Sequence, residues 1–230
     1  MSENATSTGT NGARVDGTKL RGILGRKLQM TQVFTEDGRM QPVTLIEAGP
    51  CTVLQVRSVE ADGYQALQLG FGGRRSAKVR KPQMGHFKKA GLESLLPEFV
   101  KELEIAPDAA FATGQVVDCT MFAAGTPIHV IGTSKGKGFA GVIKRFHHHR
   151  KPETHGCKSV REPGSNGMAT TPGRVLRGKT RPGHMGTDQV TLKNLKVISV
   201  HPERNLLVVS GAVPGPAGGF VIVNKVAFGK

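Results

Sequence analysis

Residues 134–185 constrain the fold more than any other part of this sequence. They hold twelve basic residues against two acids, Glu153 and Glu162, and so carry ten of the chain's fifteen net positive charges. Glycine and proline recur through them, and they carry almost no periodic apolar pattern. Such a stretch cannot bury enough apolar surface to fold by itself. A structureless run of this length inside a compact domain points to function rather than to packing. The rest of the 230 residues must therefore supply the core, and that length suffices for one ordinary domain with insertions.

Charge narrows the class of partner. The net charge is +15 and the isoelectric point lies near 10.2. Self-repulsion of this size opposes compaction unless a polyanion relieves it. A merely solvated face usually mixes signs, whereas residues 74–89 add Arg74, Arg75, Lys78, Arg80, Lys81, Lys88 and Lys89 with no acid at all. Nucleic acid is the leading candidate. An anionic membrane is the weaker one, since no 18-residue apolar run and no amphipathic helix accompany the charge. Aromatic residues make up only 5% of the chain, with no Trp and one Tyr. Sheet platforms that stack single-stranded bases rely on aromatics, and no zinc-finger, zipper or helix-turn-helix spacing is present. A flexible basic arm threading among the phosphates of a folded RNA, ordered by that RNA, fits better.

Outside the basic segments the pattern is that of short strands. Residues 42–49, 51–57, 64–70, 115–122, 127–133, 195–200, 206–210 and 220–224 are strand-length apolar runs, and 51–57 and 64–70 alternate as half-buried strands do. Asp37-Gly38 and Asp62-Gly63 are hairpin-type turn dipeptides, and residues 201–205 join two strands as a hairpin. Many short strands at this spacing favour a small barrel or sandwich. Residues 92–105 fit a helix or a strand, with Pro97 interrupting them, and 142–148 suit one short helix. The expected class is mainly β with minor α.

Several motifs mimic enzymes. Gly136, Gly138 and Gly141 match GxGxxG, but a dinucleotide site needs a following helix and an acid at a strand end. Glu162 has the right separation and sits in an Arg-Glu-Pro-Gly turn instead. Residues 173–180 match GxxxxGK[ST] letter for letter. Pro182 and Gly183 follow at once and forbid the helix that such a loop needs. His147, His148, His149, His155 and Cys157 lack the paired spacing of a zinc site. No nucleophile–base motif is present, and the basic segment has too few carboxylates for metal-assisted phosphoryl chemistry. Neither an enzyme nor a cofactor, metal or small-molecule substrate is expected. The three cysteines, Cys51, Cys119 and Cys157, are far apart and odd in number, which indicates a reducing compartment. Residues 1–18 lack an apolar core and read as a disordered tail, not a secretory or transit signal.

Five segments carry a family resemblance: 41–51 (QPVTLIEAGPC), 62–72 (DGYQALQLGFG), 132–141 (GTSKGKGFAG), 172–175 (PGRV) and 205–215 (NLLVVSGAVPG). In content and order they resemble the bacterial form of the large-subunit ribosomal protein L3 family, from about Arg21 onward. The resemblance implies a small β-barrel of the translation-protein type with a long extended basic loop and a smaller insertion. The globular part would span 19–133 and 186–230, with a basic insertion at about 73–104 and the extended loop at 134–185. It also implies a cytoplasmic, ribosomal role: direct binding of large-subunit rRNA, help in nucleating assembly, neighbouring ribosomal proteins as further partners, and a loop reaching toward the peptidyl-transferase region. The rRNA-binding residues expected on the loop are Lys135, Lys137, Lys144, Arg145, His155, Lys158, Arg161, Arg174, Arg177, Lys179 and Arg181, beside the seven cations of 74–89. Some bacterial members carry a methylated Gln at the loop tip. Here residues 165–172 read SNGMATTP, so that modification is not expected.

Overall fold

The structure is a computed structural model that describes residues 19–92, 95–106 and 109–226; the expected tail at 1–18 lies outside them. The chain divides into two units. One comprises the described residues up to Thr133 together with those from Val190 onward, and the other is Ser134–Gln189.

Strands β1 (Gly22–Phe34), β2 (Met40–Ala48), β3 (Cys51–Arg57), β4 (Ala66–Phe71), β5 (Arg74–Arg75), β6 (Leu95–Leu96), β7 (Phe99–Glu104), β8 (Val116–Val117) and β9 (Pro127–Thr133) come first. After β10 (Phe139–Ala140) and β11 (Gly183–His184) follow β12 (Gln189–His201), β13 (Leu206–Ser210) and β14 (Phe220–Lys225). Helices are short: α1 (Val59–Asp62), α2 (Lys81–Lys89) and α3 (Val142–Phe146). The chain is mainly β.

Six strands lie in the order β1-β14-β9-β12-β13-β2, and β2 pairs back onto β1, which closes the sheet on itself. The register sets the core. Ile23 sits opposite Val223, and Ile46 opposite Leu207, and all four are fully buried. Alternation does the rest: in β2, Thr44, Ile46 and Ala48 turn inward while their neighbours Leu45 and Glu47 stay half-exposed. A second sheet, ordered β7-β4-β3-β8, adds Val53, Leu67, Leu69 and Val117 to the same apolar cluster. Strand β1 approaches β2 so closely that a Cβ on Gly25 would stand 2.5 Å from the Glu47 carbonyl oxygen. Any side chain there would push the strands apart. Two residues on, the Lys27 ammonium is buried and donates to the Val213 and Gly215 carbonyls at 2.7 and 3.1 Å. These hydrogen bonds offset the cost of burying the charge.

Some sequence expectations need correction. Asp62-Gly63 is not a two-residue hairpin turn. It ends the one-turn helix α1, whose N-cap Ser58 side chain accepts from the Ala61 N–H and whose C-cap Gly63 has φ 82°. Both structures need a positive φ, so the dipeptide alone could not separate them. Residues 115–122 are a strand only over β8, then a 3₁₀ turn over Cys119–Met121. The ambiguous 92–105 segment holds the strands β6 and β7 and no helix among its described residues, with Phe99 opposite Phe71 and Leu103 opposite Leu67; residues 93 and 94 lie outside the described residues. The longest early strand, β1, shows no clear alternation because it is exposed from Gln29 onward. Helix α2 went unread because Phe87 is its one buried residue.

Cys51 and Cys119 are buried, Cys157 is partly exposed, and all three are free thiols. Burial pushes the Cys51 thiol up to about 12 and raises that of Cys119. Both therefore stay protonated and unreactive at neutral pH. Ellman's reagent should titrate Cys157 alone in the native protein, and Cys51 and Cys119 only after denaturation. Ile46→Ala should destabilise the closed sheet by about 2–5 kcal/mol, read from the urea midpoint.

Candidate nucleic-acid interface

Within Ser134–Gln189 the backbone is held by hydrogen bonds rather than by a core. Ala140 and Val142 are its only buried apolar side chains among the described residues. At the ends, Ser134 N–H donates to the Asp188 carbonyl, and the Thr187 N–H returns a bond to Ser134. Lys137 and Met185, then Gly138 and Met185, repeat the exchange, and β10 pairs with β11, Phe139 opposite His184. Gly186 fits this pairing with φ 81°, and a Cβ on it would stand 2.1 Å from the Lys135 carbonyl oxygen. Farther along, the Arg145 guanidinium donates to the Arg181 carbonyl at 3.0 Å and lies 5.0 Å from the Phe146 ring centre. Thr180 Oγ1 meets His148 Nε2 at 2.9 Å. Every residue from 161 to 179 is exposed.

This frame displays cations. Lys135, Lys137, Lys144, His155, Lys158, Arg161, Arg174, Arg177 and Lys179 are all exposed, while Arg145 and Arg181 are half-buried. Among the described residues, the one ion pair of this unit joins Arg150 to Glu153, so none of the expected loop cations is neutralised by a carboxylate. Arg145 differs from the others. Its charge is spent bracing the 181 backbone, so it supports the frame first.

Neither glycine-rich run takes up the local structure that its motif requires. Residues 139–140 of the GxGxxG run are strand β10, and Gly141 precedes a helix of five residues, so no dinucleotide frame forms. No helix begins at Lys179 in the GxxxxGK[ST] run. Among the described residues, no three His, Cys, Asp or Glu side chains come together as a metal-ligand group.

In the other unit, residues 74–89 form a second basic surface. Arg74 and Arg75 make β5, paired with β6, and Lys81, Lys88 and Lys89 ride on α2. Phe87 anchors that helix against Leu54, Ala90 and Leu96. Arg75, Lys78, Arg80, Lys81, Lys88 and Lys89 are exposed and free of ion pairs, but Arg74 is bound to Glu98 at 3.3 Å, and Glu98 also holds Arg26 at 3.1 Å. Part of the positive field at Arg74 is thus cancelled. Lys88 and Lys89 also complement the helix C-terminus.

The sequence model of the family described as ribosomal protein L3 matches residues 74–227, which is more than half of the chain and takes in both basic surfaces. The chain belongs to the ribosomal protein L3 family. Relatives in the family are similar over nearly their whole length. The large ribosomal subunit protein uL3 of Syntrophobacter fumaroxidans is 50% identical over 206 residues, covering 90% of this chain and 97% of that protein. The uL3 protein of Carboxydothermus hydrogenoformans is 49% identical, covering 91% and 99%. That of Gloeobacter violaceus is 50% identical, covering 88% and 94%.

Sequence reasoning passed over Phe139, which the structure leaves exposed on β10. The available signal was its setting: a lone aromatic among glycines and lysines has no core to enter. Because Gly186 combines a positive φ with a carbonyl where a Cβ would go, Gly186→Ala should open the paired ends of 134–189. Faster amide exchange at Lys137 and Met185, with the closed sheet unaffected, is the expected readout.

Proposed function

We propose that this chain is a non-enzymatic structural constituent of the large ribosomal subunit that binds large-subunit rRNA directly. What carries the reading is one conjunction. A member of a ribosomal protein family, similar end to end to large-subunit proteins, displays an array of cations with almost no acids among them. Residues 134–185 are the main contact, through Lys135, Lys137, Lys144, His155, Lys158, Arg161, Arg174, Arg177 and Lys179, with Arg145 and Arg181 bracing them. The surface of 74–89 is a second contact, in which Arg74 is the weakest member. The six-stranded closed sheet is the barrel of the translation-protein type, and 134–185 is its extended loop, reaching toward the peptidyl-transferase region. The protein helps nucleate subunit assembly, meets neighbouring ribosomal proteins through its globular part and works in the cytoplasm. No cofactor enters this role.

The physics of the proposal is counterion release. If about eight to ten cations neutralise phosphates, the log–log dependence of affinity on salt has a slope of roughly −7 to −9. A tagged chain should co-sediment with large subunits through a moderate salt wash, and its affinity for purified large-subunit rRNA should follow that slope. Recovery of the chain free in the soluble fraction, or a nearly flat salt dependence, would sink the reading.

A further inference from the structure

Phe139 is 80% exposed, more than any other large apolar side chain among the described residues. Strand β10 turns Ala140 inward, where it is buried, and so turns Phe139 outward. Directly across the ladder stands His184, also exposed and on the same face. A concavity of about 260 Å³ lies at this point, with Lys137, Phe139, Gly141, Ile143, Lys144 and Arg161 on its walls. The three cations are exposed, and no carboxylate pairs with any of them. Gly141 adds a separate observation. Its φ is an ordinary −69°, and a Cβ there would meet nothing within 4 Å. Neither its conformation nor its packing asks for glycine, but close approach of another molecule's backbone would.

We propose that this concavity is a subsite for one unpaired nucleotide of RNA, its base stacked on the Phe139 ring and the adjoining phosphates held by Lys137, Lys144 and Arg161. The bare backbone at Gly141 lets the sugar–phosphate chain come close. The volume falls below the roughly 300–1,000 Å³ of pockets for larger ligands, so a single base fits better than a dinucleotide. A base supplies a π-face for an exposed ring, and its phosphates supply the charge. An acidic peptide supplies only the charge. A continuous duplex keeps its bases stacked on one another, so the nucleotide must come from a loop, bulge or end. The inference rests on the rRNA-binding reading and can fail while that reading stands.

The chain contains no Trp, so Phe139→Trp places a single indole at the subsite. Because Phe139 is exposed, its variants should melt as the native protein does, which circular dichroism checks. With a large-subunit rRNA fragment, F139W should bind at least as tightly as the native chain, and its emission should be quenched at saturation. F139A and F139L should both lose about ten-fold or more in affinity, since an aliphatic side chain cannot stack on a base. The salt slope should stay unchanged in these two variants, while the triple variant K137A/K144A/R161A should make it shallower by about 2–3. Unquenched F139W emission on bound RNA, or native affinity in F139A and F139L, overturns the subsite and leaves RNA binding standing. Quenching by an acidic peptide to the same extent as by RNA overturns the nucleotide as occupant. Absence of any RNA binding by the native chain removes both the subsite and the reading beneath it.

Discussion

The rest of the structure depends on β1 being paired along both edges, with β14 on one side and β2 on the other. An open sheet would leave a row of N–H and C=O groups at each edge. Closure removes both rows and encloses Ile23, Ile46, Leu207, Val209 and Val223 in one interior. It also fixes local choices that look arbitrary in isolation. Gly25 is bare because the β2 backbone lies against it, and Lys27 is tolerated inside because two carbonyls receive its ammonium. The second sheet then has an apolar surface to share, and its strands complete the same core.

Charge is distributed by the opposite logic. In the unit that contains the core, several arginines are matched to acids: Arg26 and Arg74 to Glu98, Arg57 to Asp62 and Glu102, and Arg21 to Glu104. In Ser134–Gln189 one such pair is present among the described residues. Exposed pairs of this kind contribute little stability. Their effect is on the field: they quieten part of one unit and leave residues 74–89 and the other unit strongly positive, which is the pattern that steers a polyanion to chosen surfaces.

What could be read in advance followed from how each element is buried. Strands at 127–133 and 206–210 stood out as short apolar runs between turn residues, and the hairpin through 201–205 appeared where the turn residues stood. Strand β1 and helix α2 were invisible for a shared reason: each commits few side chains to the core, so each lacks a period. The basic loop was legible from composition alone, because twelve cations against two acids need no structure to be counted. Its internal frame was not. Arg145 reads as one more cation until its bond to the Arg181 carbonyl is seen, and Phe139 reads as a scarce aromatic until its exposure is seen. Both depend on pairing between residues more than thirty positions apart, which no local window contains.

Strands β9 and β12 are neighbours in the closed sheet, and the whole of 134–188 connects them. Ser134, Lys137, Met185, Thr187 and Asp188 tie the two ends of that connection to each other. Loop-closure entropy grows only with the logarithm of length, each doubling costing about 0.6 kcal/mol. Residues can therefore be added or removed in the exposed 161–179 stretch at almost no cost to the fold that carries it. Reach and stability become separately adjustable quantities, so the length of the segment can be set by the depth of whatever it enters.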